Sequence, residues 1–146
     1  MSIAKAVNRK PKIAAHFQAA NWTMEVPRQI HEIKQGYSID KFEQLKTDYG
    51  VSQEELSKVA SISLPTIHRR KIAKHFNSDE SDKIYRLERL YKTALEVLES
   101  KDNVKAWFNT PLKVFEGKTP FKYADTLPGS EEVERVLRRI EQGIVL

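Results

Sequence analysis

Hydrophobic residues recur at helical spacing from position 39 onward and define the first clear element of the chain. Ile39, Phe42 and Leu45 lie three residues apart, so they share one face of a helix. Ser38 precedes them and can accept a hydrogen bond from a first-turn amide, and Gly50 suits the left-handed turn that ends a helix. The pattern predicts a helix between Ser38 and Gly50.

Two further short helices are predicted across a tight turn. Ser52 and Glu55 have the spacing of a capping box, in which each side chain bonds the backbone amide of the other residue. About two turns later, Ser63 can cap another helix, with Pro65 in its first turn, where a missing amide costs no helical hydrogen bond. Two short helices that meet at a tight turn predict a helix-turn-helix.

The second half of the chain is also patterned for helices. A broad apolar stripe runs through residues 79–98, polar residues break the pattern at 100–103, and Pro111 and Gly117 mark a loop. A last helix is predicted where residues 128–130 open an apolar face that ends near Gly143. No segment alternates apolar and polar residues as a strand does, so we predict an all-α, mainly helical fold.

Pattern and charge divide the chain into three segments. Residues 1–35 show weak periodicity, interrupted by Pro11 and Pro27, and predict an arm or short helices. They carry six Lys or Arg against two acids, residues 36–78 carry seven against five, and residues 79–146 carry twelve against thirteen. The positive excess favours a nucleic-acid partner for the first half, while the near-neutral remainder suits a protein partner. We therefore predict a helix-turn-helix domain at 36–78 and a separate C-terminal domain at 79–146.

The segment Leu64–His75 is the most basic in the chain, with four permanent cations, two histidines and no acid. At roughly 100° per residue, Leu64 and Ile67 face one side of a helix while Thr66 and Arg69 face the other. Arg69 can bond a guanine bidentately, and the helix N-terminus can hold a phosphate. An ordinary solvated basic face is the alternative, but the preceding capped helix and tight turn favour a recognition helix. We predict DNA contacts at Ser63, Thr66, His68, Arg69, Arg70, Lys71 and Lys74.

The sequence offers little for catalysis. At 146 residues without a cysteine, the chain has no thiolate nucleophile and no disulfide, and its four histidines lack a metal-binding spacing. Residues 117–119 resemble the end of a phosphate loop, but Leu112 stands where the first glycine of that motif should be. We expect no enzymatic activity, no catalytic residue, no metal and no cofactor. With no apolar run typical of a signal peptide or membrane helix, we expect a cytoplasmic protein that binds no membrane.

The stripe at residues 79–98 is wider than a lone surface helix requires. Such a stripe has two explanations: burial within this chain, or a self-association face. We interpret it as a mixture of the two. Proteins that read DNA commonly dimerise and so place two recognition helices about one helical turn apart. We predict a homodimer with contacts at Ile84, Leu87, Tyr91 and Leu98.

Several short motifs resemble a known family when their order and spacing are taken together. They are Ser52-x-x-Glu55-Leu56, Ile62-Ser63-x-x-Thr66-x-x-Arg69-Arg70, Glu80-Ser81-Asp82-Lys83, Ala106-Trp107-Phe108, Gly117-Lys118-Thr119-Pro120 and Glu132-Val133-x-x-Val136-Leu137-x-Arg139-Ile140-Glu141-x-Gly143. The chain thereby resembles the antitoxins of the Xre/MbcA/ParS group, which pair with RES-domain toxins. The resemblance covers about Gly36 to Leu146. It departs at Phe108, where the family often has leucine, and at Glu116, where it often has a second glycine.

The resemblance implies a helix-turn-helix domain joined to a C-terminal toxin-binding domain. Dimers would cover the active site of a RES-domain toxin that consumes NAD, and the same complex would bind operator DNA and repress its operon. Thr66, Arg69 and Arg70 would read the DNA, and any cofactor would belong to the toxin. The toxin-facing surface would lie in residues 117–146, where we predict contacts at Gly117, Lys118, Thr119, Pro120, Arg135, Arg138, Arg139, Gly143, Ile144, Val145 and Leu146.

A second hypothesis comes from a different functional class. The chain could be a stand-alone helix-turn-helix transcriptional regulator whose C-terminal half only dimerises or senses a ligand. A neighbouring gene that encodes a RES-type protein would favour the antitoxin.

Overall fold

The computed structural model of the chain describes residues 24–144, so most of the predicted N-terminal arm, together with Val145 and Leu146, lies outside the described residues. Helix α1, Glu25–Gln35, is the first element. Pro27 does not interrupt it, because this proline lies in the first turn, where its missing amide would have no helical acceptor. The chain divides into two compact units between His31 and Glu32, inside α1, and every later element belongs to the second unit.

Three helices with short connections follow α1. They are α2 (Ile39–Tyr49), α3 (Gln53–Ala60) and α4 (Leu64–Ala73). The serine before each helix accepts a hydrogen bond from a first-turn amide, and Ser52 and Glu55 form both halves of the predicted capping box. Helix α3 ends on Ser61 in the left-handed conformation, at φ 56°, which turns the chain sharply into α4. The predicted pair of short helices and its tight turn are therefore present.

The C-terminal half continues as helices. They are α5 (Ser78–Leu98), α6 (Lys101–Phe108), a 3-10 turn (Lys113–Phe115), α7 (Pro120–Tyr123) and α8 (Leu127–Glu141). Residues 24–144 contain no strand, only an isolated β-bridge between Ser38 and His75. None of the helices in this range is long and apolar enough to cross a membrane. The all-α prediction is confirmed.

Aromatic side chains at the end of α2 join the helices of the two halves. The Tyr49 ring is fully buried and lies 4.8 Å from Phe108 in α6 and 5.0 Å from Phe121 in α7. Its hydroxyl donates a hydrogen bond of 2.6 Å to the Leu87 carbonyl in α5. Buried Tyr hydroxyls need such a partner, and this one makes Tyr49 a shared element of the core rather than of one domain.

The wide stripe of α5 lies inside this core. Ile84, Leu87 and Tyr91 are 1%, 0% and 6% exposed, and Leu98 is partly buried against the same cluster. Helix α8 covers much of α5 with Val133, which is also fully buried. Because these α5 side chains already pack against helices of their own chain, the structure places the stripe in the core rather than on a self-association face.

Candidate functional site

The start of α4 carries a chain of polar contacts. Ser63 caps the helix, and its hydroxyl lies 2.9 Å from the Thr66 hydroxyl. Arg69 donates from Nη2 to Thr66 Oγ1 at 3.1 Å and forms no salt bridge with any described residue. The guanidinium is therefore held by a neutral hydroxyl, and most of its hydrogen-bonding capacity is left for a ligand.

Arg70 has a different environment from its neighbour. It donates from Nε and Nη2 to the two oxygens of Glu80, at 2.8 and 2.9 Å, and so forms a bidentate salt bridge. Glu80 also accepts from the Asn77 amide as part of the capping box of α5. Burial alone would raise the pKa of Glu80, but the hydrogen bonds from Arg70 and Asn77 lower it below its usual value.

The predicted DNA contact at Arg70 is narrowed by this salt bridge. The Nε–Nη2 edge of its guanidinium is engaged by a carboxylate of the same chain, so a guanine cannot use that edge. Arg70 links α4 to α5, and its orientation is set by Glu80.

Lys71 is also drawn into contacts within the protein. Its ammonium donates a short hydrogen bond to Gln53 Oε1 in α3 and lies 3.6 Å from Glu43 in α2. The Gln53 amide nitrogen lies in turn 3.4 Å from Nε2 of His68. Lys71 thus packs α4 against the two helices before it, although its side chain remains 40% exposed.

The open face of α4 differs in part from the predicted set. His68, Arg69 and Lys74 are exposed as expected, and Ile72 joins them with 84% of its surface exposed. Ile72 lies seven residues after Pro65, on the same side of the helix, so the helical periodicity contained a signal for it. Its residue type concealed that signal, because apolar residues on a helix usually belong to the core.

The predicted toxin-facing loop is only partly at the surface. Gly117 and Lys118 are exposed, and Thr119 caps α7 by accepting from the Lys122 amide. Pro120, the first residue of α7, is buried. The predicted contact at Pro120 is therefore corrected, since this ring packs inside the protein and is not available to a partner.

Helix α8 presents its arginines to the outside. Arg135 pairs with Glu132 at 2.6 Å and Arg138 with Glu141 at 3.2 Å, whereas Arg139 is exposed and forms no salt bridge with a described residue. The helix ends at Glu141, and the exposed Gly143 follows it, not as its cap, which is Gln142. The next residue, Ile144, is 50% exposed. Val145 and Leu146 lie outside the described residues.

Within the part of the chain that the structure describes, no three His, Asp or Glu side chains gather in a way that could hold a metal ion. The histidines that could act as ligands stand apart, with His68 on α4 and His75 after it. The surfaces described above therefore consist of hydrogen-bond donors, cations and apolar side chains suited to macromolecular partners.

Comparison with known families identifies both halves. Residues 28–89 match the antitoxin Xre-like helix-turn-helix domain, and residues 93–143 match the antitoxin Xre/MbcA/ParS C-terminal toxin-binding domain. The chain thus joins the two domains of Xre/MbcA/ParS-type antitoxins. The two matches adjoin inside α5, so one long helix is the last element of the first domain and the first element of the second.

Individual relatives agree with this assignment. The chain is similar to an Antitoxin Xre of Yersinia enterocolitica, with 25% identity over 79% of each chain. It is similar to an Antitoxin Xre of Photorhabdus laumondii, with 29% identity over 73% of this chain and 72% of the relative. A Pseudomonas putida Antitoxin Xre is 32% identical over a shorter region, 44% of this chain and 41% of the relative.

Proposed function

We propose that this chain is the antitoxin of a RES-domain toxin that consumes NAD, and that it neutralises the toxin by covering the toxin's active site. In the same proposal its helix-turn-helix binds operator DNA and represses the operon that encodes both proteins. Both partners would be met in the cytoplasm. The observation that carries the proposal is a helix-turn-helix and a toxin-binding domain on one chain, built around one shared core.

The DNA half of the proposal rests on the exposed face of α4. Arg69 has no acidic partner among the described residues and keeps most of its donors for a guanine edge. Ser63 and Thr66 lie at the helix N-terminus, where amides favour a phosphate. Lys74 adds an exposed cation near the other end of the helix for the backbone of the duplex. Arg70 acts through its salt bridge with Glu80, which holds α4 in place.

The toxin half rests on the C-terminal surface. Lys118 and Arg139 are exposed in the region that matches a toxin-binding domain, and Ile144 is exposed directly after it. Together they offer charge and apolar surface. Steric cover of an active site needs no chemistry from the antitoxin, so the proposed role is non-enzymatic. The RES identity of the toxin follows from the sequence resemblance.

A homodimer belongs to the proposal, because paired recognition helices would read two half-sites about one helical turn apart. Since Ile84, Leu87 and Tyr91 are buried within the chain, the contacts between copies would come from other, exposed side chains.

Co-expression with the product of the neighbouring gene tests the proposal. The toxin alone should stop growth and deplete NAD, and the full chain should restore both. Arg139→Glu should reduce the rescue, whereas Lys101→Glu, a charge reversal at an exposed lysine that starts α6, should not. A neighbour without toxicity, or toxicity without rescue, would leave a stand-alone DNA-binding regulator as the better account.

A further inference from the structure

A groove separates α3 from the segment around α7. Its volume is about 220 Å³, and its walls are formed by Glu55, Lys58, Val59, Lys118, Lys122 and Asp125. We call it the α3–α7 groove. One wall belongs to the region that matches the helix-turn-helix domain, and the other belongs to the region that matches the toxin-binding domain.

The rim of the α3–α7 groove carries unused positive charge. Lys58, Lys118 and Lys122 are exposed, and none of them forms a salt bridge with residues 24–144. Of the two acids, Glu55 accepts a hydrogen bond from the Ser52 amide in the capping box and keeps its charge. Three ammonium groups therefore face two carboxylates, and the net positive charge of the rim suits carboxylates on a partner.

The groove has one apolar lining side chain, Val59. It is 3% exposed, because it also packs into the core. An apolar side chain placed there would lose contact with water, while acidic neighbours of that side chain would meet the lysines at the rim. The occupant that fits this combination is a protein segment with an apolar residue flanked by aspartates or glutamates.

The position of the groove keeps it apart from the basic helix. Gln53 is the α3 residue that contacts His68 and Lys71 of α4. At 100° per residue, positions 55, 58 and 59 lie roughly 140–240° around α3 from Gln53, on its opposite side. A partner in the groove would therefore leave the open face of α4 uncovered.

We propose that the toxin inserts such an acidic, apolar-tipped segment into the α3–α7 groove, so that the toxin-binding surface extends beyond the C-terminal domain onto α3. This inference rests on the proposed function, since it takes the toxin as the occupant. It adds a physical reason why toxin and DNA can bind the same chain together: their sites lie on opposite sides of α3.

The test is a binding measurement between the full chain and the purified product of the neighbouring gene, by calorimetry. Lys58→Glu changes the α3 wall, and Lys122→Glu changes the other wall. Lys34→Glu is the matched control, because Lys34 is also an exposed lysine in the last turn of its helix and lies outside the groove. Each groove variant should raise the Kd by about tenfold or more, and the control should change it by less than about twofold.

The other outcomes separate this inference from the proposed function. If the wild-type chain binds the toxin and both groove variants bind it equally well, the toxin does not use the groove and the proposed function stands. If Lys58→Glu weakens binding to promoter DNA and not to the toxin, the groove faces DNA and the inference is overturned. If the wild-type chain does not bind the neighbouring protein, both the proposed function and the inference fail. An unchanged melting midpoint excludes misfolding of the variants as the cause.

Discussion

Arg69 and Arg70 are adjacent in the sequence but have different roles in the structure. Within residues 24–144, Arg69 is exposed and donates only to the Thr66 hydroxyl, whereas Arg70 is engaged by both oxygens of Glu80. The difference arises from helix geometry, because one step of about 100° turns Arg70 away from the open face and toward α5. Two residues of the same type thus become one outward-facing cation and one link between α4 and α5.

The first prediction concerns Arg69. Arg69→Ala should weaken binding to promoter DNA by about 1–3 kcal/mol, the range for loss of one bidentate base contact, with no change in the melting midpoint. Fluorescence anisotropy at constant salt measures the affinity, and Lys101→Ala is the control for a lost exposed cation. Equal losses for the two variants would show that Arg69 contributes only general charge.

The second prediction concerns the pH dependence of stability at Glu80. The pKa of Glu80 in the folded chain lies below the ordinary glutamate value of 4.5, so its ionised form stabilises the fold above that value. This stabilisation should decline as the pH falls through 4.5 toward the folded pKa. Glu80→Gln should therefore lower the free energy of unfolding at neutral pH. In acid, the difference in this free energy between the variant and the wild type should become smaller. Urea unfolding from pH 7 down to pH 3 measures this, and a difference that stays constant with pH would contradict it.

At the scale of elements, α5 shows why an apolar stripe does not reveal its own partner. Its extent follows from local signals, since the predicted stripe at residues 79–98 agrees with the helix Ser78–Leu98. The stripe is equally compatible with burial inside the chain and with burial against a second copy, because hydrophobic burial is not directional. Only the packing of α2, α6 and α8 around α5 decided that the stripe is core.

The third prediction tests that assignment. Leu87 in α5 is fully buried, so Leu87→Ala should lower the free energy of unfolding by about 2–5 kcal/mol through the cavity it leaves. Leu127→Ala is the matched control, because Leu127 is 56% exposed at the first position of α8, and its loss should fall within about 0.5 kcal/mol. Urea unfolding measures both changes. Equal small losses would place Leu87 outside the core.

At the scale of the whole molecule, the two functional halves are not separate bodies. From Glu32 onward the chain forms one compact unit, and α5 belongs to both family matches. Tyr49 contacts aromatic side chains of α6 and α7, so the helix-turn-helix half depends on the C-terminal half for its packing. We therefore expect surface substitutions, and not truncation of the chain, to separate DNA binding from toxin binding.

The fourth prediction follows from the shared core. Truncation before Gly117 removes Phe121, Val133 and Leu137, all buried, and uncovers Tyr49. The truncation should lower the melting midpoint and weaken both DNA binding and toxin binding. Arg139→Glu should weaken toxin binding alone. Circular dichroism melting and anisotropy on both variants measure this. A truncated chain with wild-type DNA affinity and stability would show that the first half folds alone.

The sequence by itself determined the helices, their caps and the tight turn before the basic helix, because these depend on residues within a few positions of one another. It also contained the ordered motifs that identify the family. The tertiary structure decided which side chains remain available to a partner. It paired Arg70 with Glu80, buried Pro120 and the α5 stripe, exposed Ile72, and brought α3 beside α7. These features depend on contacts between residues far apart in the chain, and local periodicity carries no information about which distant side chain will meet a given face.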